Sequence, residues 1–197
     1  MLHALPNRSA RSSRPRSRGA AKSLTLSLFL FVAAAVTAGS TCAGAEVAQL
    51  GMTTGQSGLQ LPRFVSLKAS RVNVRVGPGE GYAIAWVFTR AGLPIEVIQE
   101  YDTWRRVRDS DGSVGWVFQS LLSGQRTAVV SPWASGDIRP LRSGPTSDAA
   151  VTAYLEAGVM GSVKRCHDGW CRIAGEGFAG WIEQNQLWGV YPDEDID

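Results

Sequence analysis

Two cysteines and a histidine that stand close together are the residues of this chain best suited to chemistry. Cys166, His167 and Cys171 lie within six residues. Thiols and imidazoles act as nucleophiles and metal ligands, and two thiols can form a disulfide. Three ligands so close in sequence fit tetrahedral zinc badly, which makes metal binding the weaker alternative. Because the cysteines flank a tight turn at 167–170, we expect a disulfide across a hairpin.

The rest of the chain offers no recognisable catalytic set. His167 is the one histidine after residue 45, and neither G-x-S-x-G, H-E-x-x-H nor a phosphate-binding loop occurs. Cleavage of a glycan would need two of the scattered carboxylates to meet in space, and small modules lack a deep cleft for that. We therefore expect no catalytic residue, no cofactor and no metal, and we predict that the chain is not an enzyme.

The first 45 residues are typical of an export signal. Six Lys or Arg and no Asp or Glu come before an apolar run from Leu24 to Ala38, and Ala43-Gly44-Ala45 fits a signal-peptidase site. An uncleaved anchor is the alternative, although the run is shorter than the roughly 20 residues of a spanning helix. We predict a signal peptide over 1–45, a periplasmic or secreted protein, and no stable membrane span once the leader is removed.

Removing this leader reverses the net charge. The whole chain has 20 Lys or Arg and 17 Asp or Glu, a net charge of +3, whereas residues 46–197 have 14 against 17, a net of −3. Nucleic-acid binding depends on clustered positive charge, so we expect no nucleic-acid partner. Residues 192–197 are predicted to form a solvated acidic tail. Cys42 leaves with the leader unless it is lipidated, for which its preceding residues form a poor signal.

An internal duplication organises the remaining chain. At a shift of 65 to 67 residues, blocks beginning at Val74, Ala91, Asp102 and Gly115 match blocks beginning at Leu141, Ala157, Asp168 and Gly180. Each unit alternates apolar and polar residues in about five short runs, and Asp111-Gly112 marks a hairpin turn. So short a unit must close its sheet to bury a core. We predict an all-β fold of two tandem small β-barrels behind the signal peptide.

These blocks resemble the bacterial SH3 (SH3b) family. Residues 73–78, Asn-Val-Arg-Val-Gly-Pro, and residues 113–117, Ser-Val-Gly-Trp-Val, follow the family pattern in the first unit. The second unit departs from it at Pro140 and at Asp148-Ala149. The resemblance implies two SH3-like barrels, which we call module 1 (63–123) and module 2 (131–191). A linker over 124–130 would join them, with pairing of residues 127–130 as a strand as the alternative. A short flexible segment over 46–62 would precede them.

Several residues of the shared pattern have structural explanations. Glycine followed by proline turns the chain. A tryptophan that follows a glycine is large enough to fill the core of a small barrel, and the alternative for these tryptophans is stacking on sugars. The residues predicted to be structural are Gly77, Pro78, Trp116, Gly144, Pro145, Trp170 and Trp181. In the alignment of the two units, Cys166 and Cys171 take the places of Glu100 and Arg105, so we expect the disulfide to replace an exposed ion pair.

The resemblance also implies a binding function. Aromatic faces suit sugar rings and apolar peptides, and an arginine suits the carboxylate of a peptide stem. The candidate ligand-binding residues are Arg75, Tyr82, Trp86 and Trp104 in module 1, although the two tryptophans also fit as half-buried strand residues. We predict a non-catalytic envelope protein whose modules dock on cell-wall peptidoglycan, with a protein–protein adaptor that binds another envelope protein as the alternative.

Overall fold

The computed structural model describes residues 52–197, so the predicted signal peptide lies outside the described residues. The described part contains sixteen β-strands and two short 3-10 turns, which confirms the predicted all-β class. None of its helical segments is long and apolar enough to cross a lipid bilayer.

Module 1 is a seven-stranded antiparallel sheet preceded by a small hairpin. The hairpin strands are β1 (Thr53–Thr54) and β2 (Gln60–Leu61). The sheet strands are β3 (Arg63–Leu67), β4 (Val72–Arg75), β5 (Ile84–Phe88), β6 (Pro94–Tyr101), β7 (Trp104–Arg108), β8 (Val114–Phe118) and β9 (Leu122–Ser123). Their spatial order is β5-β4-β8-β7-β6-β3-β9, with the 3-10 turn Gln119–Leu121 between the last two strands in sequence.

Module 2 repeats this arrangement strand for strand. Its strands are β10 (Thr127–Val130), β11 (Ile138–Arg142), β12 (Val151–Glu156), β13 (Met160–His167), β14 (Trp170–Gly175), β15 (Phe178–Glu183) and β16 (Leu187–Trp188). Their order is β12-β11-β15-β14-β13-β10-β16, and the second 3-10 turn, Gln184–Gln186, again precedes the last strand. The predicted tandem duplication is therefore confirmed.

The stretch predicted as a linker over 124–130 belongs mostly to module 2. All four residues of β10 are buried, and Val129 lies opposite both Met160 on β13 and Trp188 on β16. Strand β10 takes the position in module 2 that β3 takes in module 1. Only residues 124–126 separate the two sheets, because an apolar strand with two neighbours cannot serve as a free connection.

Two segments, one predicted to be flexible and the other to be solvated, pack against the modules. In the segment predicted to be flexible over 46–62, the described residues form the β1–β2 hairpin, and Leu61 is part of the module 1 core. In the predicted acidic tail, Ile196 exchanges both backbone hydrogen bonds with Cys166, at 2.8 and 3.0 Å. Arg126 also pairs with Glu194 at 2.7 Å, which offsets part of the negative charge that suggested solvation.

Each module has a core of aliphatic side chains. Ile95 and Val107 in module 1, and Leu141 and Ile173 in module 2, are among the largest side chains that are fully buried. The two cores are separate clusters of 9 buried residues in module 1 and 11 in module 2.

The tryptophans predicted to fill the barrels lie on the outer faces. Along β8 the buried residues are Gly115 and Val117, so the alternation of a strand places Trp116 on the opposite face, where it is half-buried. Trp181 takes the equivalent position on β15 and Trp170 is half-buried on β14. The glycine in the Gly-Trp pattern therefore marks the inward position, and the tryptophan covers the sheet from outside.

The inward glycines allow a neighbouring strand to pass closely. A Cβ atom on Gly115 would collide with a methyl group of Val74 on β4. A Cβ atom on Gly180 would lie 2.7 Å from Cγ of Leu141 on β11, the equivalent strand of module 2. Close contact between these strands is a physical reason for glycine at both positions.

Aromatic and polar contacts join the two modules. The ring of Phe64 on β3 meets Trp188 edge to face with centroids 5.0 Å apart, and Trp188 donates from its indole nitrogen to the carbonyl of Pro94 at 3.1 Å. The Tyr191 hydroxyl donates to Glu96 at 3.0 Å. Burial, together with the nearby Glu96 charge, raises the pKa of Tyr191, so the phenol stays a donor.

Candidate ligand-binding site

Three neighbouring strands of module 1 bring polar and aromatic side chains to one outer face. Trp116 on β8 lies opposite Arg75 on β4 and opposite Arg106 on β7. Trp104 lies opposite Phe118 in the adjoining row, and their rings meet at 5.5 Å in an edge-to-face arrangement. The register of β4, β8 and β7 therefore places arginine beside aromatic side chains.

Arg75 and Trp104, both predicted as ligand-binding residues, line one cleft of about 320 Å³. The complete lining is Arg71, Asn73, Arg75, Glu80, Trp104, Phe118 and Leu121. The cleft offers two guanidinium groups, one carboxylate, one amide and an aromatic wall. Guanidinium groups bind carboxylates in a bidentate manner, and aromatic edges and faces accept the apolar side of a sugar or peptide.

Tyr82 shapes the loop beside the cleft without lining it. Arg75 donates from Nη1 to the backbone carbonyl of Tyr82 at 2.6 Å, which ties the loop after β4 back to that strand. The Tyr82 ring packs directly on Gly77, where any Cβ atom would overlap it, and half of the tyrosine remains exposed. This contact is a physical reason for glycine at position 77.

Trp86 lies on the inner side of the sheet, away from the cleft. It is opposite Val74, a fully buried residue of β4, and packs against the module 1 core with its ring edge-on to Phe88 at 6.1 Å. The four predicted residues therefore do not form one groove: two line the cleft, one holds its loop and one supports the core.

The cleft includes Phe118, Glu80 and Asn73, which the sequence analysis did not select. Phe118 follows Trp116 by two residues on β8, so strand alternation already places both on one face. Asn73 precedes Arg75 by two residues on β4 in the same way. Glu80 lies in a loop, and no periodic signal in the sequence points to it.

A buried charge cluster supports the strand that carries Trp104. Glu100 accepts hydrogen bonds from the backbone and hydroxyl of Ser57, both at 2.7 Å, and pairs with Arg63 at 2.7 Å and with Arg105 at 3.3 Å. Arg105 also donates to the Trp104 carbonyl at 2.9 Å. Burial by itself raises the pKa of Glu100, but the Ser57 and Arg63 hydrogen bonds and the Arg105 charge outweigh it and lower the value to about 2.

In module 2 a disulfide occupies the place of this ion pair. Cys166 and Cys171 are directly opposite on β13 and β14, with Cα atoms 4.1 Å apart, and their sulfurs are bonded as predicted. The replaced pair, Glu100 and Arg105, is buried and not exposed as expected, because the β1–β2 hairpin covers it. Among residues 52–197, no group of three or more His, Cys, Asp or Glu is placed to hold a metal ion.

Module 2 has a cleft of its own, of about 480 Å³. Its lining is Pro145, Arg165, His167, Asp168, Trp181 and Asp197. His167 is exposed and lies 3.1 Å from Asp195 and 3.2 Å from Asp168. The hydrogen bond to Asp195 and the charge of Asp168 raise the pKa of His167. Pro145 and Trp181, predicted as structural, thus border a surface that is open to a ligand. A Cβ atom added to Gly144 would lie 3.5 Å from Cβ of Ala149, an ordinary contact distance, so the space around Gly144 does not require a glycine.

Comparison with known proteins finds a relative among bacterial proteins. The chain is 27% identical over 142 residues to the "Putative N-acetylmuramoyl-L-alanine amidase YrvJ" of Bacillus subtilis, a match that covers 64% of this chain and 27% of the relative. The chain thus spans about a quarter of that protein's length. This finding overturns the expectation that the chain is not an enzyme, which rested on the lack of a familiar catalytic motif, because a relative is named as an enzyme.

Comparison with solved structures finds partial similarity to two chains. They are NlpC1 and NlpC2 of Trichomonas vaginalis, at 14% and 15% identity and TM-scores of 0.31 and 0.32. The matches cover 71% and 65% of this chain and 49% and 48% of the solved chains.

The family follows from the two modules themselves. The bacterial SH3 domain family matches residues 68–124 and again residues 135–189, which together make up more than half of the sequence. Both matches fall on the seven-stranded sheets, and their order and spacing agree with the internal duplication. The chain belongs to the bacterial SH3 domain family, with two tandem copies of the domain.

Proposed function

We propose that this chain is an envelope or secreted protein that binds peptidoglycan, and that the module 1 cleft holds a peptide stem beside its sugar. The observation that carries the proposal is the shared cleft of Arg75, Trp104 and Phe118. A guanidinium group beside an aromatic wall complements a ligand that has a carboxylate next to an apolar ring face. A peptide stem attached to a glycan strand has both.

The relative's name supports the choice of ligand. An N-acetylmuramoyl-L-alanine amidase is named for the bond that joins the glycan to its peptide. The region shared with this chain makes up 27% of that protein. A region of this size is suited to a binding role beside the larger remainder of the relative. This relative and the family together support association with the cell wall, and the lining of the module 1 cleft supports the peptide stem as its ligand.

The cleft also has polar side chains that favour some ligands over others. Glu80 adds a carboxylate near the loop, and Asn73 adds an amide on β4, so an ammonium group and a sugar hydroxyl each find a partner. The Arg75 bond to the Tyr82 carbonyl fixes the loop before a ligand arrives, which reduces the entropy lost on binding.

Co-sedimentation with purified sacculi tests the proposal. The wild-type protein should pellet with sacculi in a saturable manner, and Phe118→Ala and Glu80→Gln should each weaken this by about three- to tenfold. Arg90→Gln, an exposed change in the same module outside the cleft, is the matched control and should bind like wild type. Wild-type protein that stays in the supernatant would refute the proposal and favour the envelope adaptor, whose partner a periplasmic pull-down would identify.

A further inference from the structure

The outer face of module 2 carries a row of three arginines around one tryptophan. Arg165 on β13 lies opposite Arg172 on β14, Arg172 lies opposite Trp181 on β15, and Trp181 lies opposite Arg142 on β11. Adjacent strands are about 4.8 Å apart, so the row spans about 14 Å of the sheet. We call these four residues the basic row.

The charges of the basic row are not neutralised within the described part of the chain. Across residues 52–197, no Asp or Glu oxygen lies within 4.0 Å of the guanidinium nitrogens of Arg142, Arg165 or Arg172. Arg165 and Arg172 are exposed, while Arg142 is half-buried and donates to the Ala149 carbonyl at 2.9 Å. Two of the three guanidinium groups are therefore free to meet a ligand.

The row contains an unfavourable pair that module 1 avoids. Like charges directly opposite on neighbouring strands are destabilising, as for Arg165 and Arg172. In module 1 the equivalent of Arg165 is Gln99, whose side-chain oxygen accepts from Arg106 at 3.4 Å. A neutral residue opposite the arginine is thus compatible with this fold, so folding alone does not account for Arg165 as a third arginine.

The cleft at the end of the row indicates the kind of ligand. Arg165 and Trp181 line it together with Pro145, His167, Asp168 and Asp197, and His167 lies 3.2 Å from Asp168. An aromatic ring and a proline suit an apolar portion, the arginine suits a carboxylate, and Asp197 suits an ammonium group. The aspartates disfavour a densely charged phosphate chain, because its negative charges would lie beside them.

We propose that the basic row is a second binding surface, which takes the carboxylates of peptide stems that also carry an amine. The choice of peptidoglycan as the source rests on the proposed function, whereas the carboxylate-binding surface does not. In this arrangement the two modules are not equivalent: module 1 holds a stem in an aromatic cleft, and module 2 holds another along a charged row.

The test is an NMR titration that follows the indole N–H signal of Trp181. The probe is a soluble disaccharide tripeptide whose peptide ends in a diamino acid, and inorganic polyphosphate is the competing anion. The probe should shift the Trp181 signal saturably in the wild type, and Arg165→Gln and Arg172→Gln should weaken that binding about fivefold each. Arg139→Gln, which removes an equal charge from module 2 outside the row, should change it less than twofold.

Stability gives an independent readout for the same variants. Arg165→Gln recreates the module 1 pairing, so its thermal midpoint should rise by about 1–3 °C while binding falls. A Trp181 signal that does not move, equal binding by Arg165→Gln and Arg139→Gln, or tighter binding of polyphosphate would each overturn the proposal. Failure of sacculus binding with an intact Trp181 response would instead refute the proposed function and leave the carboxylate surface standing.

Discussion

Glu100 and Arg105 face each other across β6 and β7 at the register position where module 2 carries its disulfide. Nε of Arg105 lies 3.3 Å from Oε1 of Glu100, and both side chains are buried. The two copies of one domain therefore close the same end of the same hairpin, one by an ion pair and the other by a covalent bond. This difference yields separate predictions for the two modules.

Glu100→Gln should destabilise module 1 strongly. The change leaves Arg63 and Arg105 beside a neutral amide, and an uncompensated buried charge costs about 3 kcal/mol or more. Urea denaturation at neutral pH measures the loss. Glu80→Gln removes an exposed carboxylate from the same module and should change the free energy of unfolding by less than about 0.5 kcal/mol. Equal stability of the two variants would contradict the account of the buried cluster.

The contribution of Glu100 should disappear in acid. Its pKa is about 2 in the folded protein against an ordinary 4.5, so its stabilisation is present above pH 4.5 and is lost as pH falls towards 2. This shift in pKa corresponds to about 3 kcal/mol in the free energy of unfolding. Denaturation curves of wild type and Glu100→Gln should accordingly converge between pH 4.5 and 2. A difference that stays constant over this range would show that Glu100 titrates normally.

Loss of the disulfide should cost module 2 about 2 kcal/mol. Cys166 and Cys171 are five residues apart, and closing so short a loop removes only modest entropy from the unfolded chain. The double variant Cys166→Ala/Cys171→Ala should show this loss in urea denaturation. Dithiothreitol should lower the midpoint of the wild type and leave the double variant unaffected. A urea midpoint of the wild type that stays the same after full reduction would refute the stabilising role of the disulfide.

Gly115→Ala should destabilise module 1 through overpacking. The new methyl group would overlap Val74 and lie 3.0 Å from the Trp86 ring, which costs about 1–3 kcal/mol. Gly81→Ala is the matched control, because a Cβ atom there meets nothing within 4 Å. Thermal unfolding compares the two variants. An unchanged midpoint for Gly115→Ala would mean that β4 has room to move away from β8.

Sequence patterns predicted the strands and the duplication because both depend on local alternation and turn residues. The disulfide was predictable for the same reason, since aligning the repeats placed Cys166 and Cys171 across one hairpin. The outward position of Trp116 was not predictable in this way. The residue before it that faces the core is a glycine, which has no side chain to indicate which face of the strand is buried. Burial of Glu100 also depends on the distant Ser57, 43 residues away, which no local pattern records.

Composition and local pattern are poor guides to residues 192–197 and 127–130. The acidic residues near 192–197 suggested solvation, yet Ile196 pairs through its backbone with Cys166, and composition carries no information on backbone pairing. The apolar run 127–130 is compatible with a strand, but its partners, β13 and β16, lie far along the chain, so no local pattern shows that it belongs to module 2. Of the four predicted ligand-binding residues, only Arg75 and Trp104 line the module 1 cleft. Which side chains meet there depends on the register between strands, and the sequence does not show that register.

The most direct test of the proposed function compares intact sacculi with glycan strands from which an amidase has removed the peptides. A module 1 cleft that reads a peptide stem through Arg75 predicts saturable binding to intact sacculi and at least tenfold weaker binding to the stripped strands. Equal binding to both materials, or binding to neither, would contradict it.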